Sequence, residues 1–344
     1  MGNGRMKNFA RLIVALGLVA LSISSCTVSP ADSIGGSQSL VVGHASGLVS
    51  EPYVLWADSQ GYFENTRLEV ENVAGGSSSE RVAALIGGSL DVAAIAGTDL
   101  VQLVSNTEFD PVVLGGIHAV TAEQLEQVRE QRPYSGQLLI ETTIVLRADL
   151  EPQAWKSNPR LKVAVRGPQA IAALGFLSFL ESESVDYSNF EFVNLSNADD
   201  ALSALRRGDV DAAQLTGAYA YEALREGAHL VTYPTAYWLE PGPWIFWITS
   251  REIAGMKATQ LRNFRDAFRQ VARELNKGDT TQNYIAFIKD KYDLSDEAIE
   301  SIIVPPLYED PVGPEDFDYY SDQLIEAGLI DRAADIDEDN FLSE

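Results

Sequence analysis

Hydroxyls beside glycine, placed where a strand gives way to a helix, form one of the simplest anion receptors a chain can build. Free backbone N–H groups and the positive end of the helix dipole converge there. This sequence offers the arrangement several times. Gly75-Gly76-Ser77-Ser78-Ser79 runs into an amphipathic segment, Glu80 to Gly87, and Gly97-Thr98-Asp99 follows the apolar stretch Asp91 to Ile95. His44 to Gly47 follows Leu40-Val41-Val42-Gly43, while Arg166 to Ala170 and Thr216 to Tyr219 repeat the pattern later in the chain. The candidate ligand contacts are therefore His44, Ser46, Gly76, Ser77, Ser78, Thr98, Arg166, Gly167, Gln169, Thr216 and Tyr219, led by Ser77, Ser78 and Thr98. The same serines and threonines suit helix capping equally well. Arg166 suits an anionic solute or one of the chain's many acids. Tyr53, Trp56, Tyr219, Trp244 and Trp247 suit an aromatic wall for an organic body, or the core.

Catalytic chemistry has little support. The three histidines, His44, His118 and His229, stand far apart and no pair has metal-ligand spacing. Neither a nucleophile elbow nor a phosphate loop occurs. The reading is of a protein that is not an enzyme and takes no cofactor or metal.

The elements that carry these turns come in two similar sets. From residue 40 the chain reads strand, helix, strand (Leu68 to Val73), helix (Glu80 to Gly87) and strand (Asp91 to Ile95), the mark of a parallel sheet flanked by helices. The order recurs as Leu161 to Arg166, Ile171 to Leu180, Phe190 to Leu195, Asp199 to Arg207 and Asp211 to Leu215. Ala84-Leu85, Gly88, Asp91, Ala93 and Gly97 return 120 positions later as Ala204-Leu205, Gly208, Asp211, Ala213 and Gly217. In each copy the first glycine suits a left-handed helix end and the last a sharp turn. Asp91 and Asp211, at equivalent strand starts, read as structural. Leu138 to Leu146 predicts a long strand passing to the second set, and Trp244 to Thr249 one passing back. Helices are expected over Ala258 to Asn276, Thr280 to Tyr292, Asp296 to Ile302 and Asp316 to Glu326, packed mainly on the first lobe. The stretch Thr121 to Gly136 reads as a long, charged insertion.

The ends add a location. Arg5, Lys7 and Arg11 precede an apolar run, Leu12 to Leu21, and then Ser22-Ile23-Ser24-Ser25-Cys26. This is the layout of a secretory signal. The run is short of the roughly 20 residues a span needs, so a single anchor helix is the lesser reading. Ile23-Ser24-Ser25-Cys26 resembles the bacterial lipobox, which implies that Cys26, the chain's single cysteine, carries the lipid. Residues 1–25 then form a lipoprotein signal peptide and residues 26–39, rich in Ser, Gly and Pro, a flexible tether. The formal net charge of −25 argues against nucleic acid as a partner.

Several segments together resemble a family. They are Pro52-Tyr53-Val54 to Gly61-Tyr62-Phe63-Glu64, Leu68-Glu69-Val70, Ala84 to Ala93 and Asp322 to Leu329. The chain is similar to the substrate-binding components of ABC importers for nitrate, taurine, aliphatic sulfonates and thiamine pyrimidine precursors. The resemblance implies an α/β, two-lobed periplasmic-binding-protein fold of type II, with parallel-rich sheets and two hinge crossings. Lobe 1 would comprise residues 40–143 and 248–344, and lobe 2 residues 144–247. It further implies a small polar or anionic solute, a membrane permease as partner, and a monomer anchored by lipid on the extracytoplasmic face of the cell membrane. An enzyme on the same fold and a non-transport lipoprotein sensor are the alternatives.

Overall fold

A computed structural model describes residues 38–45, 50–130, 138–139, 142–167, 170–195, 197–277, 279–296, 299, 302–303 and 307–343. Cys26, the signal and nearly all of the tether lie outside the described residues, as do Ser46 and Gln169. Among the described residues, no helix is long and apolar enough to cross a membrane.

The first set of elements is β1 (Gln38–His44), α1 (Glu51–Ser59), β2 (Leu68–Ala74), α2 (Ser78–Ile86), β3 (Val92–Ala96), α3 (Gly97–Asn106) and β4 (Pro111–Gly116). A short β5 (Ala119–Val120), α4 (Ala122–Glu130) and β6 (Leu138–Leu139) lead across to β7 (Thr142–Leu146) and α5 (Ala154–Ser157). The second set follows: β8 (Lys162–Val165), α6 (Ile171–Ser182), β9 (Glu191–Asn194), α7 (Ala198–Arg207), β10 (Ala212–Thr216), α8 (Gly217–Arg225) and β11 (His229–Thr232). The return runs through β12 (Gly242–Pro243) to β13 (Ile245–Ser250). Then come α9 (Arg251–Met256), α10 (Ala258–Leu275), α11 (Asp279–Lys291), β14 (Ile302–Ile303) and α12 (Glu315–Glu326).

Two five-stranded sheets result, ordered β2-β1-β3-β13-β4 and β9-β8-β10-β7-β11. They match position by position. In each, the first three strands are parallel and the fourth, which arrives from the other lobe, runs antiparallel. The repeated aspartates explain the shared register. Asp91 accepts the Val41 N–H at 2.8 Å while its own N–H donates to the Val41 carbonyl at 2.8 Å. Asp211 does the same with Lys162, at 3.0 and 2.8 Å. Lys257 pairs with the first aspartate at 2.7 Å and Arg147 with the second at 3.6 Å. Gly88 and Gly208 end their helices at φ +72 and +74, a conformation that favours glycine. The last glycine of each repeat turns the chain sharply at the strand's end, Gly217 at φ +49. Gly97 and Gly217 open α3 and α8 directly after the strand, with no intervening loop.

The second sheet is apolar on both faces, as strands covered by helices on each side must be. Ile144, Val163 and Val165 pack with Trp155, Phe176 and Phe179 on one side. Val145, Ala164 and Ala213 pack with Leu202, Leu205 and Ala220 on the other. Around the first sheet, α10, α11 and α12 bring Phe264, Phe268, Tyr284 and Phe317 into the largest core.

Two local expectations fail. Leu138 to Leu146 is not one strand: β6 pairs with β14, whereas β7 belongs to the second sheet. Ile302, expected at a helix end, is in β14 for the same reason, because β6 offers it a partner edge. The charged insertion forms α4, whose Arg129 donates to the carbonyls of Ala236 and Leu239 at 2.8 and 3.2 Å. The two crossings meet as β5 and β12, a short antiparallel pair.

Candidate functional site

The two sheets point their carboxyl-terminal strand ends at a shared cleft of about 840 Å³. Binding in that place is the rule for open α/β sheets. Ala45, Gly76, Ser77, Ser78 and Ala96 line it from the first sheet's strand ends and helix starts, and Trp244 and Ile245 from the returning strand. Thr142, Arg166, Gly167, Asn194, Gln214 and Thr216 line it from the second.

Local chemistry shapes the N-terminus of α2. Ser77 caps it, accepting the Glu80 N–H at 3.2 Å, and Glu80 closes the capping box on the Ser77 N–H at 2.5 Å. The strand before it is pinned by the Gly75 N–H, which donates to the His44 carbonyl at 2.9 Å. Arg81 then folds back beneath the loop. Its Nε donates to the Ala94 carbonyl at 2.9 Å, and Nη1 to those of Gly76 and Gly75 at 2.7 and 3.2 Å. Nη2 lies 3.5 Å from the Ser78 hydroxyl. Burial, then the nearby Arg166, lowers the Arg81 guanidinium to about 10.

Arg166 stands on the opposite lobe, at the end of β8. Its N–H donates to Gln214 Oε1 at 3.0 Å, which fixes the strand end over the cleft. Burial lowers its guanidinium and Asp99 raises it. Asp99, in the first turn of α3, is raised by burial and held down by Ser78, Arg81 and Arg166. The cleft thus has an inner trio of charge, two guanidiniums and one carboxylate. Among the described residues, no group of three His, Cys, Asp or Glu side chains lies together to hold a metal.

Solved structures share this fold. The alkanesulfonate-binding protein SsuA from Xanthomonas axonopodis pv. citri, bound to MOPS, aligns with a TM-score of 0.65 at 16% identity, over 85% of this chain and 94% of that one. A ligand-binding component of an ABC-type import system from Staphylococcus aureus, with zinc bound, aligns at 0.67 and 8% identity, over 89% and 96%. A Candida albicans gene product with the generic periplasmic binding protein fold aligns at 0.63 and 16% identity, over 85% and 90%. This chain has the periplasmic binding protein fold. No protein-family model and no curated protein matches it in sequence.

In that fold the candidates separate. Gly76, Ser77, Ser78, Arg166, Gly167 and Thr216 line the cleft. Ser77 is there as a cap, with its hydroxyl engaged by Ser79 and Glu80 at 3.0 Å each. Thr98 is fully buried in α3 and is not among the lining residues. His44 is likewise buried beneath the strand ends, and burial lowers its imidazole to about 4. Tyr219 packs on the second lobe's helical face, outside the lining. Of the aromatics, Trp244 lines the cleft, while Tyr53, Trp56 and Trp247 are core.

Arg81, Asp99 and Gln214 escape the sequence reading. Each had a signal. Arg81 is a cation in a first helical turn, where the dipole disfavours it, and Gln214 is a long polar side chain in the middle of a buried strand. Asp99 is the hardest to see, because an acid in that position is ordinary capping chemistry.

Proposed function

We propose that this protein is the solute-binding component of an importer, and that it captures a small anionic organic solute between its two lobes on the outer side of the membrane. The observation that carries the reading is the cleft itself, lined by buried Arg81 from one lobe and half-buried Arg166 from the other. In a cavity partly shielded from water these charges act more strongly on an anion than they would in bulk solvent. The chain as a whole is acidic, at −25, so two arginines facing one cleft are a local feature rather than an average property. Trp244, Ile171 and Ile245 give an apolar surface for an organic body. Lipidation of Cys26 would tether the protein beside its permease and agrees with an extracytoplasmic solute carrier.

The test is a thermal-shift screen of sulfonates, nitrate, pyrimidines, flavins and amino acids, followed by calorimetry. A solute that binds only the native state raises the melting temperature by mass action. We expect a saturable shift with an organic anion, weakened at least tenfold, about 1.4 kcal/mol, by Arg166→Gln. Binding confined to neutral solutes, or untouched by Arg166→Gln, overturns the reading.

A further inference from the structure

We propose that Asp99 sets the charge of the solute, so that the cleft accepts one negative charge and rejects two. This rests on the anion-binding reading above and goes further, to the residue that selects among anions.

Four charged residues line the cleft among those described: Glu80, Arg81, Asp99 and Arg166. Glu80 is exposed and tied to Ser77, so solvent and salt screen it. The other three face one another across the lobes. Arg81 is spent on three backbone carbonyls of its own lobe and is fixed in place. Arg166 reaches in from the opposite lobe. Asp99 stands at the start of α3, where the helix dipole favours a carboxylate and the Ser78 hydroxyl bonds it. Two cations and one anion leave a net charge of one. A singly charged anion neutralises the trio. A doubly charged anion leaves an uncompensated charge in a shielded site, which is strongly unfavourable. Without Asp99 the same two guanidiniums would match a dianion.

The test uses the full chain in mild detergent and two ligands of similar shape. They are butanesulfonate, with one charge, and butylphosphonate above its second proton loss, with two. The wild type is expected to bind the sulfonate at least tenfold more tightly. Asp99→Asn is expected to gain at least tenfold for the phosphonate and to erase that preference. An unchanged preference in the variant overturns the proposal. So does a variant that loses the sulfonate, because removing a negative charge from the cleft should not weaken a bound anion unless Asp99 supports the site rather than limiting its charge. If neither protein binds either anion, the anion-binding reading itself fails.

Discussion

Arg81 shows how one side chain can serve both architecture and charge. Its guanidinium satisfies the carbonyls of Ala94, Gly75 and Gly76, which holds the α2 loop against β3. Removing the guanidinium strands those acceptors in a shielded place. Arg81→Met should therefore lower stability by about 3 kcal/mol, read from urea denaturation. A loss below about 0.5 kcal/mol would mean that water satisfies the carbonyls equally well. Ser77→Ala should be far milder, since the side chain is a cap. The sequence shows turn chemistry clearly, because glycine and serine act locally. It does not show that Thr98 points into the core while Arg81 reaches the cleft. Those directions depend on where α2 and α3 lie on the sheet, and that is settled by packing between distant segments.

Helix α6 and the returning crossing illustrate packing at the scale of elements. A Cβ at Gly175 would lie 2.0 Å from the Pro234 carbonyl oxygen. A glycine inside an apolar helix is a local liability, and here the reward is the close approach of the crossing segment. Gly175→Ala should lower stability by about 1–3 kcal/mol through overpacking, seen as a fall in melting temperature. An unchanged melting temperature would show that the crossing gives way freely. Strands and helices with strong periodicity were legible, and the A-L-x-x-G-x-x-D repeat located equivalent strands in both sheets. Legibility ended where partners decide. Nothing within Ile302-Ile303 distinguishes a helix end from a two-residue strand. The edge supplied by Leu138-Leu139 makes the difference.

At the scale of the whole molecule, β5 and β12 pair where the two crossings between the lobes run side by side. A two-stranded ribbon bends without breaking its own hydrogen bonds, so it suits hinge closure. A solute touching both Arg81 and Arg166 favours the closed form by its extra contacts there. A saturating organic anion should therefore reduce the radius of gyration measured by small-angle scattering. An unchanged radius under saturation would mean that the lobes do not move. The exchanged strands also impose an order of assembly. The strands of the second sheet lie within residues 142–232, so that sheet is complete as soon as β11 has been made. The first sheet has a gap between β3 and β4 that only β13 fills. A chain emerging from its amino end thus carries an unfinished first lobe, with two strand edges unpaired, through the synthesis of the entire second lobe. Closing so long a loop is slow, so the second lobe is complete while the first still waits for its last strand.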